Sequence, residues 1–249
     1  MKVLGLIPVR LKSKRLHEKP LLMLKNLPMF VHVYRRAKIS KLLNELFVCC
    51  DDKKVINLCK KFKIKSIMTS KKHSNGTERI CEGYLKLKKK YDFIIDIQGD
   101  EPLLNPKHVD KVIMFHIKNK KADIILPSLR SKYSYNPNVV KVITNKNKKV
   151  LYLSRATIPY FYDNKKKYVN KHLSIISFKP KALIAFSREK KTKLEAFENI
   201  ELLRALEINL NILSFELDGD SFSVDVKEDY LKASRRMESD KFFKKYALK

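Results

Sequence analysis

A chain of 249 residues, 44% of them hydrophobic, has apolar material for a sizeable core, which excludes an intrinsically disordered protein. Lys and Arg number 55 against 26 Asp and Glu, a net charge of +29. The excess is mostly lysine, spread along the whole chain, with no aromatic residues interleaved to stack bases, so it reads as solvated surface rather than a nucleic-acid footprint. No apolar run approaches the roughly 18 residues of a membrane helix, and the stretch before Pro8-Val9-Arg10 is too short for a signal peptide. A cytoplasmic protein is expected. Cys49, Cys50, Cys59 and Cys81 have no metal-ligand or redox spacing and read as incidental thiols.

Strand-like and helix-like patterns alternate from the start. Residues 2–7 read as a buried strand, 28–39 as a helix, 46–50 as a strand and 53–62 as a helix. A third strand at 66–69 precedes a helix at 77–89, with Asn75-Gly76 as the break. A fourth strand, 93–97, stops at Gln98-Gly99; a helix at 106–118 and a strand at 123–127 follow. This alternation predicts an α/β fold with a mostly parallel central sheet covered on both faces. The pattern then changes. Residues 139–144 and 149–152 predict a β-hairpin, 160–171 a polar loop, and 173–178 a strand. A helix at 194–207, a strand at 212–217 and a helix at 227–238 close the chain. The reading is one domain over 1–249, with an excursion near 130–190 for a sugar pocket, a dimer contact, or both.

Ligands of open parallel sheets bind outside the carboxyl ends of the strands. The loop after the first strand carries Arg10, Ser13, Arg15 and Lys19, spaced to fold round a triphosphate. It lacks the Gly-rich spacings of a P-loop or dinucleotide fingerprint. At the end of the fourth strand, Asp100 in Gln98-Gly99-Asp100-Glu101-Pro102 either holds Mg²⁺ or caps the following helix. Asp225 follows the last strand and is either a helix cap or a second metal ligand. Arg79 stands in the first turn of a helix, against the dipole, which hints at an anion; Thr77 is the expected cap there. His32, His108 and His116 read as structural.

These blocks, with Tyr152-Leu153-Ser154-Arg155-Ala156-Thr157-Ile158-Pro159-Tyr160, His172-Leu173, Glu195…Glu198…Glu201…Leu203-Arg204 and Val224-Asp225, occur in the order found in one family. The chain resembles the 3-deoxy-manno-octulosonate (Kdo) cytidylyltransferases, also called CMP-Kdo synthetases, over essentially its full length. The resemblance implies a nucleotide-diphospho-sugar transferase-like fold and a homodimer. It implies transfer of CMP from CTP to an acidic 3-deoxy sugar for lipopolysaccharide precursor synthesis, with Mg²⁺. By match, Arg10, Ser13, Arg15 and Lys19 hold the triphosphate, and Arg79 and Gln98 lie on the nucleotide side. Asp100 and Asp225 hold the metal, and Arg155, His172 and Glu201 meet the sugar. Lys19, Arg10 and Asp100 are the implied catalytic group.

The chain departs from the family pattern in places. His17-Glu18 replaces a usual Pro-Gly, and Ser223 a usual Gly. On the sugar side Ser174, Ile176 and Lys179 stand for Gly, an aromatic and Arg, and Leu202 stands for a glutamine after Glu201. A lost hydroxyl partner costs about 1–3 kcal/mol, which suggests a modified sugar such as 8-amino-3,8-dideoxy-manno-octulosonate. The rival readings are a cytidylyltransferase for a nine-carbon acid of the sialic type and, from another class, a basic nucleic-acid-binding protein.

Overall fold

A computed structural model describes residues 1–11, 16–132, 136–162 and 168–246. The chain divides into two compact units: Met1–Lys111 with Ser221–Lys249, and Val112–Asp220.

The first unit opens with β1 (Val3–Val9), buried at every position, as befits a parallel strand covered on both faces. Two short strands, β2 (Met23–Leu24) and β3 (Leu27–Pro28), pair with each other before α1 (Met29–Ala37). β4 (Glu45–Cys50), α2 (Lys53–Lys61), β5 (Ser66–Met68), α3 (Gly76–Leu87) and β6 (Phe93–Ile97) follow. The strands order as β5-β4-β1-β6, all parallel, which is the predicted alternation. Asp52 caps α2 by accepting from Lys54 N at 2.7 Å. The cap of α3 is Asn75, whose side chain accepts from Glu78 N at 2.8 Å, rather than the expected Thr77, which is already helical and buried.

Unit 1 closes with α8 (Lys227–Glu238) and α9 (Lys241–Tyr246), the second of which the sequence reading did not foresee. Val224, Ala233 and Met237 bury themselves against Leu24 and Met29. Arg36, fully buried on α1, reaches Asp240 at 2.5 Å and the Leu104 carbonyl at 3.0 Å. The boundary between the units falls within α4 (Pro106–Lys118).

In unit 2 the nine-residue β7 (Ile124–Lys132) is the organising strand. β12 (Ile212–Leu217) lies parallel to it from Ile212↔Ile124 to Leu217↔Leu129. Antiparallel to it run β11 (Ile175–Phe178), paired at residues 124 and 125, and β10 (Tyr168–His172), paired at 128–132. β8 (Lys141–Thr144) and β9 (Val150–Ser154) form the expected hairpin, and β8 joins β10. β10 corrects the expectation of a polar loop through residue 171. Its sequence Tyr-Val-Asn-Lys-His has little apolar alternation, and the long partner strand β7 sets its conformation. The helix expected at 194–207 is two helices, α6 (Lys193–Glu198) and α7 (Leu202–Glu207), broken at Asn199, which takes the left-handed conformation with φ 51°. A further helix, α5 (Pro180–Arg188), starts on proline and buries Ala182, Leu183 and Phe186.

Two of the histidines expected to be structural are fully buried, one in each unit. His32 meets Tyr246 Oη and the Leu24 carbonyl, each at 2.8 Å. His116 meets Ser177 Oγ at 2.6 Å and the Ala122 carbonyl at 3.2 Å. Burial pushes both rings from 6.5 down to about 4. The unfolded chain therefore takes up protons first as pH falls, and stability present above pH 6.5 is lost on the way down to 4. Each ring contributes up to about 1.4 kcal/mol per pH unit in that window. The urea midpoint is expected to be lower at pH 5 than at pH 7, and His116→Gln to reduce the difference; a pH-independent midpoint in the parent protein contradicts this.

Candidate active site

The site in unit 1 is built where strand ends crowd one another. A Cβ on Gly99 would lie 2.8 Å from the Pro8 carbonyl oxygen, so only glycine lets the turn after β6 press against the end of β1. A Cβ on Gly76 would lie 3.2 Å from Pro8 Cγ and 3.3 Å from Gln98 Nε2. The start of α3, a 12-residue helix whose amino end favours anions, thus sits beside the ends of β1 and β6. Gln98 is fixed by its amide, which donates to both oxygens of buried Asp96 at 3.1 and 2.9 Å. Arg10 is exposed immediately past β1. Ser13 and Arg15 lie outside the described residues.

Lys19 joins the two candidate metal carboxylates. Its Nζ donates to Asp100 Oδ2 at 2.7 Å and Asp225 Oδ1 at 3.2 Å. Burial opposes its charge, but the two carboxylates together outweigh burial and hold its pKa above the ordinary lysine value. Lys19 begins a single 3-10 turn, Lys19–Leu21, entered through Glu18 with φ 45°. Glu18, where the resemblance implies glycine, therefore takes the left-handed backbone that glycine favours, at a cost of about 1–2 kcal/mol. The carboxylates are held from outside. Val224 N donates to the Asp100 carbonyl at 2.9 Å. Ser221 Oγ donates to Glu101 Oε2 at 2.5 Å, a tie the sequence reading missed. Asp229 accepts from the backbone N–H groups of Asp225 and Val226 at 3.0 and 3.2 Å. Asp229, not Asp225, serves the start of α8, which releases the Asp225 side chain for Lys19.

Arg79 is turned inward. It is 2% exposed, pairs with Asp51 at 2.7 Å and donates to Thr69 Oγ1 at 2.7 Å. The anion that meets this cation at the helix start is the chain's own Asp51, one residue past β4. The signal available in the sequence was the acidic pair Asp51-Asp52 at that strand end.

Unit 2 brings together most of the residues expected to meet the sugar. Arg155, just past β9, donates Nε to the Glu198 carbonyl at 2.7 Å, Nη1 to that of Pro137 at 2.9 Å and Nη2 to that of Asn199 at 3.2 Å. Glu198 accepts from Ser154 Oγ at 2.6 Å and Arg155 N at 2.9 Å. His172 ends β10; burial, aided by the charges of Lys171 and Arg155, pushes its pKa to about 4, so the ring is neutral at physiological pH. Glu201 stands at the N-cap position of α7, after the break that Arg155 grips. The peptide bond before Pro159 is cis.

Residues 4–212 match the family described as Cytidylyltransferase. The chain is 37% identical over 244 residues to the 3-deoxy-manno-octulosonate cytidylyltransferase of Thermodesulfovibrio yellowstonii, covering 92% of this chain and 95% of that one. It is 40% identical over 234 residues to the enzyme of the same name from Fusobacterium nucleatum, covering 92% and 94%. The chain belongs to this family. The fold of this cytidylyltransferase superposes on a CMP:2-keto-3-deoxy-manno-octonic acid synthetase complexed with CTP, with TM-score 0.88, 31% identity and coverage of 96% and 99%. A cytidylyltransferase from Leptospira borgpetersenii shares the fold at 16% identity, TM-score 0.67, covering 96% of this chain and 88% of that one. The chain is a CTP-dependent nucleotidyltransferase of the nucleotide-diphospho-sugar transferase-like fold.

The cytidylyltransferase carries its triphosphate and metal candidates in unit 1 and its sugar candidates in unit 2. Its four cysteines are free and buried, as expected of incidental thiols. No helix among the described residues is long and apolar enough to cross a membrane.

Proposed function

We propose that this chain transfers CMP from CTP to 3-deoxy-manno-octulosonate, with Asp100 and Asp225 as ligands of Mg²⁺. The observation that carries the reading is the convergence of these two carboxylates on one ammonium. Two hard oxygen donors sharing one cation suit Mg²⁺, which takes few carboxylates and completes its shell with phosphate oxygens and water. When bound, the metal neutralises phosphate charge and orients the reacting group.

The chain's own groups do the rest. Arg10, Ser13, Arg15 and Lys19 bind the triphosphate; Gln98 and the amino end of α3 flank the nucleotide. Arg79 braces that helix end through Asp51 and serves the nucleotide indirectly. Arg155 takes the sugar carboxylate, and His172 and Glu201 take its hydroxyls. The anomeric oxygen forms a bond to the α-phosphorus, and the bond from that phosphorus to its bridging oxygen breaks. Pyrophosphate leaves with the electron pair, and the hydroxyl proton passes to solvent. A homodimer in the cytoplasm is part of the same proposal.

Ile176 and Leu202, which stand where the resemblance implies an aromatic residue and a glutamine, are both buried. They support the narrower reading that the sugar is the 8-amino-3,8-dideoxy form. Pyrophosphate release with CTP and Mg²⁺ tests both levels. Release with an eight-carbon acid and none with a nine-carbon acid is expected, and the reverse overturns the assignment. Faster turnover of the 8-amino sugar is expected; equal or better turnover of the parent sugar sinks only the narrower reading.

A further inference from the structure

Lys141, at the start of β8, exposes none of its surface. Its Nζ donates to the Asn136 carbonyl at 3.1 Å and the Arg155 carbonyl at 2.9 Å. Among the described residues no carboxylate is in ion-pair contact with it. The neighbouring Glu198 places its two oxygens on Ser154 Oγ and Arg155 N instead. Burial lowers the Lys141 pKa from the ordinary lysine value, the charge of Glu198 raises it and that of Arg155 lowers it. Carbonyl dipoles offset only part of the cost of burying an ammonium.

Arg155 adds a second cation whose side chain donates to neutral carbonyls, those of Glu198, Pro137 and Asn199. A guanidinium has about five N–H donors. Three are spent here, which leaves one on each terminal nitrogen, the number a bidentate carboxylate requires. With His172 neutral, the cations Lys141, Arg155 and Lys171, the last paired with Lys141 across β8 and β10, outnumber Glu198 and leave the cluster net positive.

We propose that Lys141 is a positioning residue for the carboxylate of the acidic sugar. Through the Asn136 and Arg155 carbonyls it fixes the main chain that carries the Arg155 fork. Its buried charge makes the cluster favour an anionic group. The inference rests on the reading of Arg155 as the carboxylate partner.

The test compares kcat/KM, at saturating CTP, for the octulosonate and for its carboxamide, which keeps the shape and lacks the charge. In Lys141→Met the preference for acid over amide falls at least about tenfold, the effect of one unit charge about 12 Å away at an effective dielectric of about 20. The change is expected in KM for the acid, with KM for CTP within about twofold. Glu198→Gln removes the opposing charge and moves the preference the other way; it also serves if Lys141→Met fails to fold. Equal weakening of acid and amide in Lys141→Met, or an unchanged preference in Glu198→Gln, overturns the role of Lys141. The underlying reading fails separately, if Arg155→Gln leaves the acid preference intact.

Discussion

Asp100→Asn is expected to lower kcat by about a thousandfold, the equivalent of roughly 4 kcal/mol of transition-state stabilisation. The substitution keeps the side-chain shape, so the contacts of the turn persist. The Val224 N–H still meets the residue-100 carbonyl, Glu101 still accepts from Ser221, and Gly99 still packs against Pro8. What disappears is one of the two charges that share a cation, leaving Lys19 with Asp225 alone. Asp100 is a quarter exposed, and a partly exposed pair of this kind contributes about 1 kcal/mol or less to folding. Turnover therefore collapses while the unfolding midpoint hardly moves. Steady-state pyrophosphate release and urea denaturation on one preparation separate the two effects. Near-normal turnover removes Asp100 from the metal site, and a large loss of stability identifies the residue as a structural strut.

Arg204→Ala is the complementary case, large in stability. Arg204 is 1% exposed and grips Glu195 with two bonds, Nε to Oε2 at 2.7 Å and Nη2 to Oε1 at 2.8 Å. A third nitrogen donates to the Glu189 carbonyl at 3.1 Å, and the guanidinium lies 4.4 Å from the Phe186 ring centroid. Truncation leaves a buried carboxylate without its cation, at a cost of about 3–5 kcal/mol. Set against a typical stability of about 5–15 kcal/mol, that is a large share. Replacing the pair together, Glu195→Leu with Arg204→Met, removes both charges and is expected to recover most of the loss. Urea denaturation of the parent, the single and the double variants measures the difference. A single variant within about 1 kcal/mol of the parent contradicts the account.

The family and most elements were legible in the chain. Strands whose residues are all buried, such as β1, and a helix whose preceding break is written in Asn75-Gly76, are local features that one sequence displays. The glycine of Gln98-Gly99-Asp100 is visible in the sequence as the stop of a strand, whereas its crowding against the Pro8 carbonyl, far off along the chain, is a tertiary contact.

Partnership is different in kind. Asp225 looked like a possible cap because it precedes a helix; Asp229 takes the backbone N–H groups there, and the Asp225 carboxylate goes to Lys19 on a distant loop. Arg79 displayed a cation against a helix dipole, yet not that its anion would be Asp51 of the next strand end. β10 looked like a loop because Asn170, Lys171 and His172 carry no apolar period; pairing with β7 supplies the hydrogen bonds that make it a strand. Residue type and spacing by themselves determined this protein's strand ends, its glycine-lined turn and the chemistry on offer there. Only the tertiary structure decided which charge faces which, because a charge finds its partner in space, across segments that chain order keeps far apart.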